Sequence, residues 1–448
     1  MLLNFNLKVA ISLYFIAIVN AITTDQEKLT KQFPYTDDPF FIPPSHYTNA
    51  TPGTILRIRA SPIKLAAFAK YPQNIHGSWQ ILFRTTDSFG APDVGVTTLM
   101  APHNADNKKL VSFHIINDAV NDMCAASAIL ELGAKAHNFL TQPEIVNIDQ
   151  MLHHGWYVSI PNYAGSQNMY TVGLMVAHGV LDSLRSVVAS GNITGMSPDA
   201  EIQMFGYSGG AMASGWAAQE QVTYAPELNI IGSAMGGTPR SLNATINAVN
   251  KGLYSGLILT GITALARQYP ELYTHMQEIV RPEHWNDFVQ SDQYCLEGLV
   301  ARYAFLNVAD YMKTKYYLDS PMAKKIMNAN DLGNGSIPTI SMYMFHSLQD
   351  DVVPFDSFYP LYERWCAGGA NIMLTKERYG IHTSTYSTGF PAALNYMIDT
   401  FDGKRLSPGC TSRTTVSSLI NKRAWGTFRK IFRDARRFIH GAKIGPNT

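Results

Sequence analysis

Apolar residues in this chain gather into short runs separated by glycine, proline and polar clusters, and the runs at 78–84, 110–116, 156–160, 202–205, 230–234 and 340–345 are nearly continuous. A strand wetted on one face alternates apolar with polar residues, whereas a run apolar at almost every position must be covered on both faces. Helical or glycine-rich stretches separate the runs, so the pattern predicts a mostly parallel central sheet with helices on both sides. From about 243 to 325 the strand signal disappears, and apolar residues recur at helical spacing over 253–267, 282–289 and 296–311. We read 243–325 as a helical lid or cap inserted between two core segments, 22–242 and 326–448. A set of ordinary crossover helices is the alternative, although a crossover needs only a dozen or more residues. Ahead of the first run, the proline-rich stretch from Asp37 to Pro44 cannot be a regular helix and is expected to lie along the surface as an extended arm.

The chain begins with a short start bearing Lys8, an apolar run over 9–19 and the small-residue site Val19-Asn20-Ala21. Residues 1–21 therefore read as a signal peptide and the mature protein as secreted and extracellular. An N-terminal membrane anchor is the competing reading, and the run is too short to span a bilayer comfortably. Four N-x-S/T sequons, at Asn49, Asn192, Asn243 and Asn334, are glycosylation candidates in that compartment. Four cysteines with no C-x-x-C pair argue for two disulfides and against a zinc ribbon or redox motif. Of the three possible pairings, Cys124 with Cys295 and Cys366 with Cys410 is preferred, the latter closing a loop near the C-terminus.

With 448 residues, 46% hydrophobic and 15% charged, the chain can bury a large core, which excludes disorder as the default. Net charge is +1, but the last 28 residues hold eight Lys/Arg against Asp434 alone, which leaves 27 basic and 33 acidic residues elsewhere. The body is near −6 and the tail near +7, so only the tail is suited to an anionic surface. In that tail Trp425, Phe428, Ile431, Phe432, Ala435, Phe438 and Ile439 recur at helical spacing among the cations. The helix they predict either packs its apolar stripe on the body, the preferred reading, or lies on lipid.

The strongest local signal is Gly206-Tyr207-Ser208-Gly209-Gly210, directly after the run 202–205 and directly before the small-residue helix 211–218. This is a G-x-S-x-G nucleophile elbow in its strand–turn–helix setting, and it points to the α/β-hydrolase fold with Ser208 as nucleophile. Flanking glycines let the chain turn sharply, and the helix start aims N–H groups at a developing oxyanion. Serine needs a base and the base an orienting carboxylate, in chain order Ser, Asp/Glu, His. Asp350 follows the run 340–345 and has the D-x-x-V-P spacing, with Asp351 as its rival for the role. Only His382 and His440 follow; His440 sits in the basic tail, so His382, which follows another apolar strand over 371–379 and is expected in a flexible loop beyond the last long strand, is the base. The oxyanion hole needs the Gly209 N–H and a second donor from the loop after 110–116, where the usual H-G-G-G is absent. Asp118 stands there: it could donate through a protonated carboxyl or through its backbone N–H, and the alternative is a plain loop aspartate with no part in the site.

The stretch from Met204 through Ala218 into Thr223-Tyr-Ala-Pro-Glu-Leu228 resembles the fungal secretory lipases, meaning the secreted Candida lipases and the related lipase A. The resemblance takes in the 37–44 arm, 112–118 with Cys124, Pro161-Asn-Tyr-Ala-Gly165, Leu181-Asp-Ser-Leu-Arg185, Cys295, 350–354 and His382. It implies triacylglycerol hydrolysis by Ser208, Asp350 and His382, Asp118 as oxyanion partner of Gly209, a helical lid over an acyl tunnel, and the disulfides Cys124–Cys295 and Cys366–Cys410. Two departures stand out: Asn117-Asp118-Ala119 where the family tends to read E-D-S, and Asn162 and Ala164 where it tends to read P-D-Y-E-G. Each removes a carboxylate from loops expected to border the site. The substrate partner expected is a lipid ester at an oil–water or membrane interface, with no nucleic acid, obligatory protein partner, metal or cofactor. An esterase of soluble esters, a peptidase, an acyltransferase or a non-catalytic lipid carrier are the competing readings of one fold.

Overall fold

The computed structural model describes residues 38–134 and 141–448, so the expected signal peptide lies outside the described residues. Ten strands form one sheet: β1 (Ile55–Ala60), β2 (Gly77–Thr86), β3 (Pro92–Ala101), β4 (Asp106–His114), β5 (Trp156–Pro161), β6 (Glu201–Tyr207), β7 (Ile230–Gly236), β8 (Ser341–Ser347), β9 (Asn371–Glu377) and β10 (Thr411–Thr415). Their order is β1-β2-β3-β5-β4-β6-β7-β8-β9-β10. The first four in that order pair antiparallel, and from β5 onward every pairing is parallel.

Both faces of the parallel part are dry away from its β10 edge, which is why its inner strands read as nearly continuous apolar runs. In β6, Ile202 and Met204 enter one core while Phe205 and Tyr207 enter the other. In β8, Met342 and Met344 oppose Tyr343 and Phe345 in the same way. The helices of eight residues or more among the described residues are α1 (Glu144–His153), α2 (Gly173–Ala189), α3 (Gly209–Tyr224), α4 (Leu242–Val249), α5 (Gly256–Gln268), α6 (Pro270–Ile279), α7 (Pro282–Gln290), α8 (Leu296–Tyr303), α9 (Pro321–Ala329), α10 (Phe355–Ala367), α11 (His382–Phe401) and α12 (Lys422–Phe438). The apolar faces of α2, α3 and α10 fill the first core; those of α1, α11 and α12 fill the second.

β1, β3 and β10 were not predicted. β10 is Thr-Ser-Arg-Thr-Thr on an exposed edge, so no apolar pattern marks it. β1 is an edge strand whose arginines fasten the arm: Arg59 pairs with Asp38 at 2.6 Å and lies 4.1 Å over the Phe40 ring, while Arg57 donates to the carbonyls of Pro39, Phe40 and Ile42.

Helices α4 to α9 occupy the whole interval between β7 and β8. Proline at the first turn starts α6, α7 and α9, where its missing N–H costs nothing. The helix expected over 296–311 is shorter: it ends at Tyr303, Phe305 turns left-handed at φ 64°, and Val308–Tyr311 forms a separate 3-10 turn. The block enters and leaves the core at one place, where the Leu332 N–H donates to Arg240 O and the Leu242 N–H to Asp331 Oδ1, each at 2.9 Å. A second attachment is covalent, since Cys124, in the loop after β4, is joined to Cys295 at the N-cap of α8. Cys366, in α10, is joined to Cys410, just before β10. Replacing Cys124 and Cys295 together by serine is expected to lower the unfolding free energy by about 2–5 kcal/mol. A guanidinium midpoint equal to that of the parent protein would show that non-covalent contacts alone hold the helical block.

Candidate active site

Ser208 stands between β6 and α3 with φ 53° and ψ −122°, a conformation that costs a non-glycine residue about 1–3 kcal/mol. The surrounding chain enforces it. The Ser208 N–H is bonded to Gly236 O of β7 at 3.0 Å. A Cβ on residue 206 would meet Gly210 O at 2.1 Å, and one on residue 209 would meet Asp118 Oδ1 at 2.0 Å. The glycines of the motif are therefore places where backbone or a site side chain already fills the space. Below them, fully buried His114 spans Ser112 Oγ at 2.9 Å and Ser214 Oγ at 2.7 Å, and burial drives its pKa down to about 3, so it is a neutral spacer.

The structure brings the three side chains expected from chain order together. His382 Nε2 is 2.8 Å from Ser208 Oγ, and Nδ1 is 2.8 and 3.0 Å from the two oxygens of Asp350. All three are buried. With the Nδ1 proton donated to Asp350, the Nε2 lone pair is left to accept the serine proton. Burial alone would raise the pKa of Asp350, but the charge and hydrogen bond of His382, aided by His346 and the Val353 N–H, hold it below the usual carboxylate range. Asp351, the rival, instead accepts the His382 backbone N–H at 2.9 Å and so caps α11. His382 is the first residue of α11, which corrects the flexible-loop expectation: the Asp351 cap and the Tyr207 hydroxyl, donated to His382 O at 2.6 Å, fix this turn. Tyr207 also stacks on Tyr386, one turn along α11, at 4.5 Å. His440 is exposed at the other end of the chain.

Ser208, Gly209 and Asp118 form the floor of a cleft of about 830 Å³. Its walls come largely from the inserted helices, with Ile246 and Val249 of α4, Ile258 and Ile262 of α5, Leu272 of α6 and Met327 of α9. A buried serine hydroxyl in line with an imidazole and a carboxylate, under aliphatic walls, is suited to acyl transfer from an ester with an apolar acyl group.

A family model for secretory lipases matches residues 130–409. Lipase 5 of Candida albicans is 34% identical over 422 residues, which is 92% of this chain and 90% of that protein. A protein named as a secreted triacylglycerol lipase of Malassezia furfur is 31% identical over 418 residues, covering 92% of this chain and 85% of the relative. Among solved structures, Candida antarctica lipase A superposes with a TM-score of 0.80 at 24% identity, over 92% of this chain and 98% of that one. The chain belongs to the secretory lipase family. Its sheet and helices are those of the α/β-hydrolase fold.

In this secretory lipase the two expected departures fall differently about the site. Asn162 lies at the end of β5 and is turned into the core, its amide exchanging hydrogen bonds with Ser127 at 2.8 and 3.1 Å; Ala164 is buried beside it. Neither lines the cleft. Asn117 and Ala119 are buried on either side of Asp118, which itself reaches the cleft at φ 39°. The four sequon asparagines are all exposed.

Glu144 was missed by the sequence reading. It opens α1, where an acidic residue is unremarkable for any helix start. Here it is buried, accepting the Ile116 N–H at 2.8 Å and the Tyr386 hydroxyl at 2.9 Å, and so it joins the loop of Asp118 to the helix of His382. Only the fold brings those segments together, so nothing in the local sequence could have marked it.

Two pH effects follow. Burial pushes Asp118 up from 3.8 to about 6 against the charge of His382 and its own N–H. Below that pH its carboxyl can donate an O–H to an oxyanion; above it, a carboxylate would face like charge. On a soluble ester, kcat is expected to fall on the alkaline side of about pH 6, and Asp118→Asn, an amide donor at every pH, is expected to lack that limb. Coincident profiles would assign the contact to the backbone N–H. Burial likewise raises Glu144 from 4.5 to about 8, against the bonds from Ile116 and Tyr386. The folded protein keeps a proton that the unfolded chain releases above pH 4.5, so this group makes stability fall as pH rises from 4.5 through 8. Glu144→Gln is expected to flatten that part of the slope, with a thermal midpoint above the parent's at pH 8 and equal to it near pH 4.5.

Proposed function

We propose that this secretory lipase is an extracellular triacylglycerol lipase that cleaves its ester through a Ser208 acyl-enzyme. The observation that carries this reading is the position of Ser208 Oγ at the floor of an aliphatic cleft, 2.8 Å from His382 Nε2. Ser208 Oγ attacks the ester carbonyl carbon as its proton passes to His382 Nε2, and Asp350 holds the imidazolium. The Gly209 N–H, among the first-turn donors that a helix leaves without an intrahelical acceptor, and Asp118 receive the oxyanion. Collapse breaks the bond to the glyceryl oxygen, which takes the proton from His382. Water, deprotonated by the same histidine, then attacks the acyl carbon and releases the fatty acid with Ser208 restored.

The helices from α4 to α9 serve as the lid, and their aliphatic side chains take the acyl chain. The secretory family, a relative named as a secreted triacylglycerol lipase and two disulfides support action outside the cell. The test is a hydrolysis panel from soluble acetate esters to long-chain triacylglycerols. Long chains are expected to be the better substrates, and Ser208→Ala to reduce turnover by about 10³–10⁶-fold with an unchanged thermal midpoint. A preference for acetate would sink the lipase assignment in favour of a soluble-ester esterase. Absence of labelling by a fluorophosphonate would sink the enzyme assignment itself.

A further inference from the structure

α12 does not bury the single apolar stripe expected of it. Ile431 and Phe438 face the second core and Ala424 is buried, while Trp425 and Phe432 are 42% and 40% exposed. Phe428 lies between these two, its ring 5.6 Å from Trp425 and 4.8 Å from Phe432. At a helical turn of about 100° per residue, Trp425, Phe428 and Phe432 form one outward ridge, with exposed Lys422, Arg429, Arg433 and Arg436 in the arc beside it. The acid of the helix, Asp434, is buried and takes Arg433 Nε at 3.5 Å, so the outer arc carries four cations against no exposed carboxylate of the helix.

The place of α12 in the fold matters as much as its face. Arg423 pairs with Asp399 and Thr427 with Asn395, both near the far end of α11, roughly 20–25 Å along that helix from His382. Lys430 and Asp434 act on His153 and His154 at the end of α1, and His154 stacks on Trp156, the first residue of β5. The segment after α12 bonds Ile444 O to the His103 N–H, just ahead of β4. These partners all lie at the starting ends of parallel strands, whereas Ser208 follows the finishing end of β6. The exposed ridge and the cleft floor therefore belong to opposite ends of the sheet.

We propose that the outer face of α12 is a docking site for an anionic lipid bilayer, and that it tethers the protein with Ser208 at the end of the molecule away from that membrane. Aromatic rings with interleaved arginine and lysine are what an in-plane interfacial helix requires, the rings entering the acyl boundary and the cations meeting lipid phosphates and carboxylates. A polyanion in water would call on the cations but leave the ridge of rings without use. No helix among the described residues is long and apolar enough to cross a membrane, so this would be a surface contact. A net-acidic body carrying one basic helix is also steered to present that helix first. The tether is separate from the lipase reading, and either can fail alone.

The experiment is sedimentation of the full chain carrying Ser208→Ala, which keeps the lipids intact, with phosphatidylcholine vesicles and with vesicles that also contain phosphatidylserine. Binding to the second, not the first, and its release by salt are expected. Two variants in the same background, Trp425→Ser with Phe432→Ser and Arg429→Glu with Arg433→Glu and Arg436→Glu, are each expected to lose binding by on the order of tenfold or more. With Ser208 present, both variants are expected to hydrolyse a soluble ester at the parent's rate. No binding to anionic vesicles by the parent overturns the proposal, and this holds even where a variant fails to fold. So does binding that survives in both folded variants. Retention on heparin without vesicle binding would replace the membrane by a soluble polyanion, and a dimer in light scattering that the aromatic variant abolishes would replace it by a second copy. Loss of soluble-ester hydrolysis in the folded variants would overturn the separation of the two ends.

Discussion

Ser208 is held in a conformation that its own backbone disfavours, and most of what surrounds it can be understood as what keeps it there. The strand must stop at Tyr207 and the helix must start at Gly209, which fixes the lengths of β6 and α3 on either side. The turn can close only if Gly206 lets Gly210 O approach and if Gly209 leaves room for Asp118. It is seated between β4 and β7, whose Gly236 O takes the Ser208 N–H, so the strand order of the sheet is part of the same device. Local strain of this size persists only where neighbouring structure over-determines it. Here the neighbours are two glycines, two strands and a buried histidine.

The side chains facing the serine are coupled to one another as tightly as the turn itself. Tyr207 fixes His382 by a hydrogen bond and α11 by stacking; Tyr386 carries that contact to Glu144; Glu144 carries it to the backbone ahead of Asp118. His382 and the loop of Asp118 thus share one buried network in which Asp118 and Glu144 both have carboxyl pKa values raised by desolvation. A network of this kind is stable when its acids hold protons and is stressed when they lose them. Acid surroundings suit this architecture better than alkaline ones.

The central parallel sheet was legible because both of its faces are dry, so β4 to β9 announced themselves as apolar runs. β10 was not, because an exposed edge of threonine, serine and arginine carries no such mark. Ser208, Asp350 and His382 were legible from a local motif and from order along the chain, and the structure places them in contact. Asp118 was an open candidate in the loop after β4 that resemblance then favoured, since a loop aspartate has no periodicity to betray it. Glu144 and the capping part of Asp351 depend on contacts between segments remote in sequence or on a helix boundary. His382 itself was expected in a loop and opens a helix, because Asp351 supplies the cap. The tail helix was foreseen by its spacing, but the division of its apolar residues between inside and outside needed the body against which it packs.

The block formed by α4 to α9 is joined covalently to the core at two places, with hydrogen bonds such as Arg267 to Val120 O and Thr171 to Gly261 O between them. Its two chain ends meet at Arg240 and Leu332, and Cys295 is bonded to Cys124 in the loop that follows Asp118. A rigid piece hung from one point can tilt in any direction, but pinned at two it turns only about the line between them. Turning the helical block on that line would leave both covalent joins intact but would break the bonds from Arg267 to Val120 O and Gln167 O and from Thr171 to Gly261 O, and anything beyond it requires its own helices to slide. One pin shares a loop with Asp118, so turning on that axis would be felt as torque at the residue proposed above to receive the oxyanion.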